Sequence, residues 1–379
     1  MNETTLLIEP HDPVIFRDGK PFTDGLPAKS LPFPLPATTA GAIRSRSAEN
    51  LDFEDGKVLA GLLAIEQIGP FAAAWDETKK KWVVLLPAPA DAAPYLVNSI
   101  LEYARLCPEE AGPVGGSDLP TGLKPLFGAR PKKLFEKAPG LWPADAMSEW
   151  LQSKGKGPSL AGGFAALPVQ RRIHVSINPD NLIAKDGMLF ATDGLEFSWP
   201  APDLEKDGNH LPARRAAIVS KVFSEGPLAV PEVAPLGGER RLAIWKKLSD
   251  ADVEWPTPPA TGSRDGKLIR VVLATPGMFT GGWRPGWCPV GGGVPPGVKD
   301  LRLELEAAAV PRFQPVSGWD LRKAPHGGPK PTRFLAPAGS VYFFRVRGTG
   351  DPAQLWMRSI CDGEQDQRDG YGIALTGDC

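Results

Sequence analysis

The chain has 379 residues, of which 42% are hydrophobic and 23% charged, so it is long enough for two domains that each bury a core. Its formal net charge is −1, which excludes a protein that coats nucleic acid through bulk positive charge; any nucleic-acid surface is local or shared with a partner. The N-terminus does not read as a signal peptide and no apolar run reaches membrane length, which predicts a soluble, cytoplasmic protein.

The N-terminal region predicts a strand followed by a hairpin. Residues 4–8 (TTLLI) form an apolar run typical of a strand. In HDPVIFRDGKPF, the Asp18-Gly19 pair is typical of a two-residue hairpin turn, because glycine tolerates the positive φ that such turns need. Arg17 and Lys20 flank this turn and either keep a surface edge soluble or contact a phosphate chain. The residues alone leave both interpretations open.

A helix is predicted after the proline-rich segment LPFPLP, whose prolines prevent regular structure. Thr38 or Thr39 is expected to cap this helix, which would run to about Leu51. The helix is expected to expose Arg44 and Arg46 near its first turns.

The next part of the chain predicts a hairpin, a helix and an inserted segment. Residues 65–86 are typical of a hairpin with the charged turn DETKKK, and apolar spacing predicts a helix over residues 92–106. Residues 107–165 are rich in Gly, Pro and Lys, with a short helix predicted around residues 144–151. We interpret this stretch as an insertion with a linker, which would divide the chain into domains of residues 1–165 and 166–379.

After residue 168 the pattern changes to strands, several of which alternate apolar and polar residues as half-buried antiparallel strands do. The predicted strands lie within VQRRIHVSIN, GMLFATDGLEFSW, RAAIVSKVF, KLIRVVLAT, LRLELEAAAV and GSVYFFRV. Long helices are few, and the sequence has no 20–50-residue repeat and no heptad run. The expected fold class is therefore α+β, rich in strand.

Two basic stretches among these strands are candidate RNA contacts. Arg171 and Arg172 begin the first strand, while Arg240 and Arg241 precede Trp245 in GGERRLAIWKK. Guanidinium and indole planes interleaved in this way can stack on unpaired RNA bases. A solvated basic strand has the same composition, so this alternative stays open.

The C-terminal stretch QRDGYGIALTG places Gly370 and Gly372 around Tyr371, directly before an apolar strand. Closely spaced glycines let backbone N–H groups approach a phosphate, but the same pattern is typical of an ordinary turn. The loop-then-strand order is the opposite of a Rossmann or P-loop site.

The sequence offers no evident reaction centre. The four cysteines form no C-x-x-C pair and no metal-like cluster with the four histidines. We therefore expect reduced thiols, no bound metal and no cofactor. No nucleophile has a nearby base. His174 could be a general acid or base, but a lone histidine among strand residues is more often structural.

Several stretches together resemble a known family. They are HDPVIFRDGKPF, PLPATTAGAIRS, GMLFATDGLEF, LGGERRLA, LATPGMFTGGWRPGW, VSGWDLRKAPHGGPKPTRFLAPAGSVYFF and DGYGIALTG, in this order. Their order is similar to that in the third subunit of the Cmr module, the type III-B CRISPR effector, a member of the RAMP superfamily. The resemblance covers nearly the whole chain except residues 107–168 and parts of 203–212 and 250–265.

The resemblance implies two ferredoxin-like (RRM-type) RAMP domains with long loops, and a glycine-rich loop at residues 369–372. It implies a subunit without nuclease activity, which helps hold the 5′ repeat-derived tag of the CRISPR RNA at the base of the antiviral ribonucleoprotein. The implied neighbours are the large polymerase-like subunit and the first copy of the RAMP backbone subunit that cleaves target RNA, so contact with target RNA is indirect.

The residues expected to bind RNA lie on the hairpin, the first helix, the basic strands, the PKPTR stretch and the glycine loop. They are Arg17, Lys20, Arg44, Arg46, Arg171, Arg172, Arg240, Arg241, Trp245, Lys330, Arg333, Gly370, Tyr371 and Gly372. Backbone N–H groups of the glycine loop could take phosphates, and Trp245 or Tyr371 could stack on a tag base.

Two other functions stay open. Relatives in the RAMP superfamily process CRISPR RNA as metal-independent ribonucleases, often with histidine as the acid or base. His11, His174 and His326 lie in or near the matching stretches. The second alternative is a purely structural adaptor that contacts only protein.

Overall fold

The computed structural model is a strand-rich α+β protein, with strand in 45% and helix in 14% of residues. This confirms the predicted fold class, while the ferredoxin-like topology of the domains stays a prediction. Within the described residues no helix is long and apolar enough to cross a membrane. The structure describes residues 1–17, 30–48, 55–109, 118–128, 134–152, 158, 160, 163–201, 213–258, 260, 262, 264–320 and 328–379.

The helices are short and the strands carry most of the fold. Up to residue 258 the elements are β1 (Asn2–Pro10), α1 (Pro36–Ser47), α2 (Gly56–Leu63), β2 (Glu66–Asp76), β3 (Lys81–Pro87), β4 (Ala92–Val97), β5 (Ile100–Arg105), β6 (Cys107–Pro108), β7 (Leu126–Phe127), β8 (Leu141–Pro143), α3 (Ala144–Gln152), β9 (Val169–Ile177), β10 (Ala184–Leu195), β11 (Ser198–Pro200), β12 (Ala213–Ser224), β13 (Val233–Pro235), β14 (Leu242–Leu248) and β15 (Val253–Glu254).

The remaining strands and the last helix follow residue 264. They are β16 (Leu268–Leu273), β17 (Arg302–Ala309), β18 (Gln314–Val316), β19 (Trp319–Asp320), β20 (Gly328–Pro329), β21 (Arg333–Leu335), β22 (Val341–Arg347), β23 (Arg358–Ser359), α4 (Glu364–Arg368) and β24 (Ile373–Asp378). Single 3₁₀ turns lie at Gly238–Arg240, Asp250–Asp252 and Pro352–Leu355.

The larger sheet contains strands from both predicted domains. Its order is β13-β14-β1-β12-β2-β3-β15, with β11 beside β12 and β8 beside β3, and only the β3–β15 pair is parallel among the described strands. The smaller sheet, β17-β22-β16-β24-β23, is antiparallel and lies wholly after residue 264. The larger sheet takes strands from both sides of residues 165/166, and the division into two domains there stays a prediction.

Two hydrophobic clusters hold the sheets together, because the central strands are buried on both faces. Leu6 of β1 and Phe344 of β22 belong to one cluster, while Leu7 and Phe343 belong to the other. Successive side chains of a strand point to opposite faces, so each strand contributes to both clusters. Both clusters contain residues from both sheets, which fixes the sheets against each other.

Several element predictions are confirmed. The first strand, the hairpin over residues 65–86 (β2–β3), the short helix α3 and the six later strands are all present. Part of the predicted insertion is core, however: Trp142, Met147 and Trp150 are at most 1% exposed and pack in the second cluster. Residues 141–152 are therefore integral to the fold.

The helix predicted over residues 92–106 is wrong, since these residues form the β4–β5 hairpin. Val97 pairs with Ile100, and the two residues between them, Asn98 and Ser99, have φ of 49° and 67°. Two consecutive positive φ values are typical of the mirror-image turns that join antiparallel strands. Pro94 also disfavours a helix, because it lacks the N–H that the helical ladder needs.

The first helix differs from the prediction at its start and in its exposed face. It begins with Pro36 in the first turn, after Leu35, which makes no side-chain cap. The Thr39 hydroxyl donates to the Pro36 carbonyl at 3.0 Å inside the first turn, so the predicted threonine cap is wrong. Arg44 lies in the last turn and is buried, not exposed. The predicted end at Leu51 lies outside the described residues.

Candidate nucleic-acid interface

The N-terminal segment of residues 13–17 brings together basic stretches that are far apart in the sequence. Val14 and Leu195 exchange two backbone hydrogen bonds of 3.0 and 2.8 Å, which anchor the base of the β9–β10 ribbon. The Gly238 amide donates to the Ile15 carbonyl at 2.8 Å, which anchors the turn before β14. The cations thus gathered around one segment are Arg17, Arg171, Arg172, Arg240 and Arg241.

Close packing at this junction requires glycine. Gly237 has φ of +70°, and a Cβ there would lie 2.6 Å from the Val14 side chain and 2.8 Å from the Ile15 carbonyl. Only glycine fits both the conformation and the space. The Gly-Gly pair in GGERRLA therefore allows the turn that carries Arg240 to pack directly against the N-terminal segment.

The cations on this surface differ in how firmly acidic partners hold them. Arg171 lies 3.9 Å from Asp193 across the ribbon, and Arg241 pairs with Glu239 at 2.8 Å. Arg172 and Arg240 are exposed and have no carboxylate within ion-pair distance in the part of the chain that the structure describes. Lys20 and the predicted Asp18-Gly19 turn lie outside the described residues.

The glycine-rich loop is buried at the junction of the two sheets. Gly370 has φ of +88°, and a Cβ there would lie 2.2 Å from the Gly69 carbonyl, so only glycine fits. The amides of residues 370–372 each donate to a backbone carbonyl at 2.8–3.0 Å. These N–H groups are already occupied, so in this conformation they do not offer the phosphate site that was predicted.

Arg44 fastens this loop to the first helix. Its guanidinium donates to the Asp369 carboxylate at 2.5 Å and to the Ile65 carbonyl at 2.7 Å. The Gln67 amide adds a 2.7 Å bond to the Asp369 carbonyl. Arg44 thus contacts protein rather than facing solvent, and Arg46 on the same helix is half-buried.

The two aromatic residues predicted to stack on RNA bases are both buried. Trp245 is 3% exposed and its indole N–H donates to the Ala234 carbonyl at 3.3 Å. Tyr371 is also 3% exposed, and burial raises the pKa of its hydroxyl well above the ordinary value. Neither ring presents a free face in this structure, so stacking on either would require rearrangement.

Exposed aromatic rings lie instead beside the PKPTR stretch. Phe313 and Phe334 are 53% and 50% exposed and meet edge to face, with ring centroids 4.9 Å apart. Each follows an arginine, as Arg312-Phe313 and Arg333-Phe334. These two rings were not among the residues predicted from the sequence, although the repeated Arg-Phe dipeptide marks both of them.

The two cations predicted in PKPTR have different surroundings. Lys330 is exposed on the loop before β21. Arg333 makes two bonds of 2.9 and 2.7 Å to the Asp366 carboxylate, which raise the pKa of Arg333 above its ordinary value. Because Asp366 belongs to α4, Arg333 ties the aromatic pair to the segment that leads into the glycine loop.

The described residues offer little for acid–base or metal chemistry. His174 lies 2.8 Å from the Thr192 hydroxyl, and its ring stacks on Phe190 with centroids 5.2 Å apart. His11 is exposed, and His326 lies outside the described residues. In the searched part of the chain no group of three or more His, Cys, Asp or Glu could hold a metal ion.

Comparison with known proteins gives one family match. A family model described as CRISPR-associated protein (Cas_Cmr3) matches residues 6–379. Among solved structures, the chain is similar to one in a cryo-EM structure of the Type III-B Cmr-beta bound to cognate target RNA and AMPPnP. That similarity has 13% identity and a TM-score of 0.47, over 89% of this chain and 86% of that chain. A second such structure, of the Type III-B Cmr-beta bound to cognate target RNA, has 15% identity and a TM-score of 0.46 over the same shares. No curated protein matches.

Proposed function

The chain belongs to the Cas_Cmr3 family of CRISPR-associated proteins, and from that premise we propose that it is a non-catalytic, RNA-binding subunit of the type III-B effector complex. The observation that carries the proposal is the gathering of cations from three separate stretches around residues 13–17. Phosphate contacts of this kind hold an RNA strand in position without reading its sequence. The net charge of −1 makes such a local surface necessary, since the chain as a whole does not attract RNA.

The RNA held is, in this proposal, the 5′ repeat-derived tag of the CRISPR RNA. The neighbours are the large polymerase-like subunit and the backbone subunit, which this chain bridges at the base of the complex. The support is the series of stretches, from HDPVIFRDGKPF to DGYGIALTG, that resembles the third subunit of the Cmr module. Protein contacts with two neighbours also account for the near-neutral net charge of the chain.

Phe313 and Phe334 supply the base-stacking surface in this proposal, in place of the buried Trp245 and Tyr371. Their rings are half exposed and lie beside Arg312. Stacking of a base on an exposed aromatic ring contributes about 1–3 kcal/mol and tolerates any base. The pair therefore suits an unpaired tag nucleotide whose phosphates are held by cations elsewhere.

Charge reversal in the assembled complex tests the phosphate contacts. We expect Arg172→Glu with Arg240→Glu to lower guide RNA occupancy and to reduce the slope of log affinity against log salt by about 1.4, at about 0.7 per lost contact with a single strand. Lys80→Glu is the matched control, because Lys80 is exposed on the β2–β3 turn and pairs with Glu77. Unchanged occupancy and an unchanged slope in the double variant would remove this surface from the proposal.

Two further measurements separate the alternatives. Absence of any crosslink between tag nucleotides and this chain in the assembled complex would leave only the adaptor function. Specific cleavage of repeat RNA by the purified chain in chelator, abolished by His174→Ala, would establish a ribonuclease instead. We expect crosslinks to this chain and no cleavage.

A further inference from the structure

A fully buried ion pair lies between the two sheets, remote in sequence from the proposed RNA contacts. Asp91, after β3, and Arg270, on β16, have side chains that are 0% exposed and meet at 2.7 Å. The Trp150 indole donates a further bond of 3.1 Å to the Asp91 carboxylate. Separating Asp91 from Arg270 would leave an uncompensated charge in the core, which is strongly destabilising. The two side chains therefore hold each other in place.

This ion pair holds two cysteines close together. The Leu106 amide donates to the Asp91 carbonyl at 2.8 Å, and Cys107 is the next residue. Arg270 Nε donates to the Asp378 carbonyl at 2.8 Å, and Cys379 is the next residue there. The two cysteines therefore lie on either side of the Asp91–Arg270 pair, each one residue beyond a backbone carbonyl or amide that is bonded to it. Both cysteines are half-buried rather than sealed in the core.

The cluster around them has more positive than negative charge. The Arg105 guanidinium stacks over the Trp150 ring at 3.8 Å, and all three of its nitrogens are buried without a hydrogen-bond partner among the described residues. The Nη2 atom of Arg270 is also buried without a hydrogen-bond partner among the described residues. Among the described side chains of this cluster, two guanidiniums thus face one carboxylate, that of Asp91, which favours a further anion.

The Cys107 thiolate is suited to be that anion. The neighbouring Cys379 thiol and the positive charges of Arg270 and Arg105 lower the pKa of Cys107, against the opposing effects of burial and Asp91. The opposite holds for Cys361, where burial raises the pKa to about 12. Cys107 is therefore the thiol poised to react at neutral pH, since the thiolate is the nucleophile.

We propose that Cys107 and Cys379 form a redox site, in which a low-molecular-weight disulfide such as glutathione disulfide converts the two thiols into one intramolecular disulfide. The Cys107 thiolate attacks one sulfur of glutathione disulfide, and one glutathione thiolate leaves. The Cys379 thiol then gives its proton to that thiolate, and its sulfur displaces the second glutathione from Cys107. Two electrons pass from the cysteines to the glutathione, which is released in its reduced form.

The disulfide would link the segment after the β4–β5 hairpin to the end of β24. It would therefore join the two halves of the chain covalently beside their shared core. It would also consume the thiolate that balances Arg105 and Arg270. The oxidation state of the site thus changes both the connection between the sheets and the charge at their junction.

Mass mapping of the full chain tests the site. After incubation with glutathione disulfide, we expect a peptide pair linked through Cys107 and Cys379, absent in Cys379→Ser, which should instead retain a glutathione on Cys107. Cys361→Ser is the matched control and should leave the linked pair unchanged. A linked pair that forms only in denaturant, or no linked pair at all, would overturn the proposal.

Alkylation kinetics supply a second, independent measurement. The rate of iodoacetamide labelling at Cys107 should reach half its maximum at a pH below the ordinary thiol value of about 8.5. Arg105→Met should shift this midpoint upward, because it removes one of the positive charges. A midpoint near pH 8.5 in the unaltered chain would contradict the thiolate assignment. Neither measurement involves RNA, so its outcome is separate from that of the proposed function.

Discussion

Replacement of Arg44 by methionine tests whether this residue stabilises the fold, as its buried contacts indicate, or binds RNA, as the sequence predicted. The Arg44 and Asp369 side chains are 11% and 13% exposed, so both charges are largely removed from water. Without the guanidinium, the Asp369 carboxylate keeps the Gln365 amide at 2.8 Å, and the Ile65 carbonyl loses a donor. Removing one partner of a buried ion pair costs about 3–5 kcal/mol. Because both side chains keep some exposure, we expect Arg44→Met to lower the free energy of unfolding by about 3 kcal/mol, the lower end of this range.

The assay is reversible unfolding in urea or by heat, followed by tryptophan fluorescence. A loss of about 3 kcal/mol should lower the melting temperature by about 4 °C, because an unfolding entropy of about 2.1 cal/mol/K per residue makes each kcal/mol worth about 1.3 °C in a chain of 379 residues. The double variant Arg44→Met with Asp369→Asn should be less destabilised than the sum of the single variants, by about 1–3 kcal/mol. Arg240→Met is the control, because an exposed arginine without a carboxylate partner changes stability by less than about 0.5 kcal/mol.

The two arginines should therefore show opposite behaviour. Arg44→Met should lose stability, and Arg240→Met should keep its stability while it lowers guide RNA occupancy. If Arg44→Met melted at the unaltered temperature and lost the guide RNA, the structural assignment of Arg44 would be refuted. The sequence-based prediction of an RNA contact would then stand.

Three further substitutions test the fold at single points. Gly370→Ala should lose about 2–4 kcal/mol in urea unfolding, because its Cβ would meet the Gly69 carbonyl at a positive φ; unchanged stability would exclude the close approach. The hydrogen bond from Arg345 lowers the pKa of Glu306, so its stabilising effect is present above the ordinary value of 4.5 and is lost as the pH falls through the lower folded value. The difference in unfolding free energy between the unaltered chain and Glu306→Gln should accordingly be largest near neutral pH and shrink in acid. Ser99→Gly should raise the melting temperature through a gain of about 0.5–1 kcal/mol, since serine is strained at φ of 67°; a lower melting temperature would contradict the turn assignment.

Strand periodicity was readable from the sequence, because half-buried strands alternate apolar and polar residues whatever their partners. The β4–β5 hairpin was not, because its turn carries Asn98-Ser99 instead of the Asn-Gly or Asp-Gly pairs that mark such turns. Its apolar residues also fit helical spacing over so short a length. The partners of distant strands were not readable either, for a different reason. Pairing of β1 with β12 and β14 joins residues more than 200 positions apart, and no local pattern encodes that partnership.

The candidate interface was predicted in part, since residue type is local but burial is not. Arg240 and Trp245 lie five positions apart in one basic stretch, yet Arg240 is exposed and Trp245 is buried where β14 pairs with β1. The same limit applies to Arg44, which is buried against Asp369, 325 positions away in the sequence, and to Tyr371, which is buried as well. The ordinary-turn interpretation of the glycine loop agrees with its occupied amides. The repeated Arg-Phe dipeptide marks Phe313 and Phe334 in the sequence, but their contact depends on the pairing of β18 with β21.

The stretches that carry the family resemblance combine two physical roles. Gly237 against Val14 and Gly370 against Gly69 are close backbone approaches, and they fix where distant parts of the chain meet. Arg17 and Arg240 are exposed next to the first of these approaches. A substitution at the packed positions should therefore reduce stability and RNA occupancy together, because it displaces the cations as well. A substitution at the exposed cations should reduce RNA occupancy alone. The resemblance thus includes the frame that positions the exposed charges, and those charges are the RNA contacts that we propose.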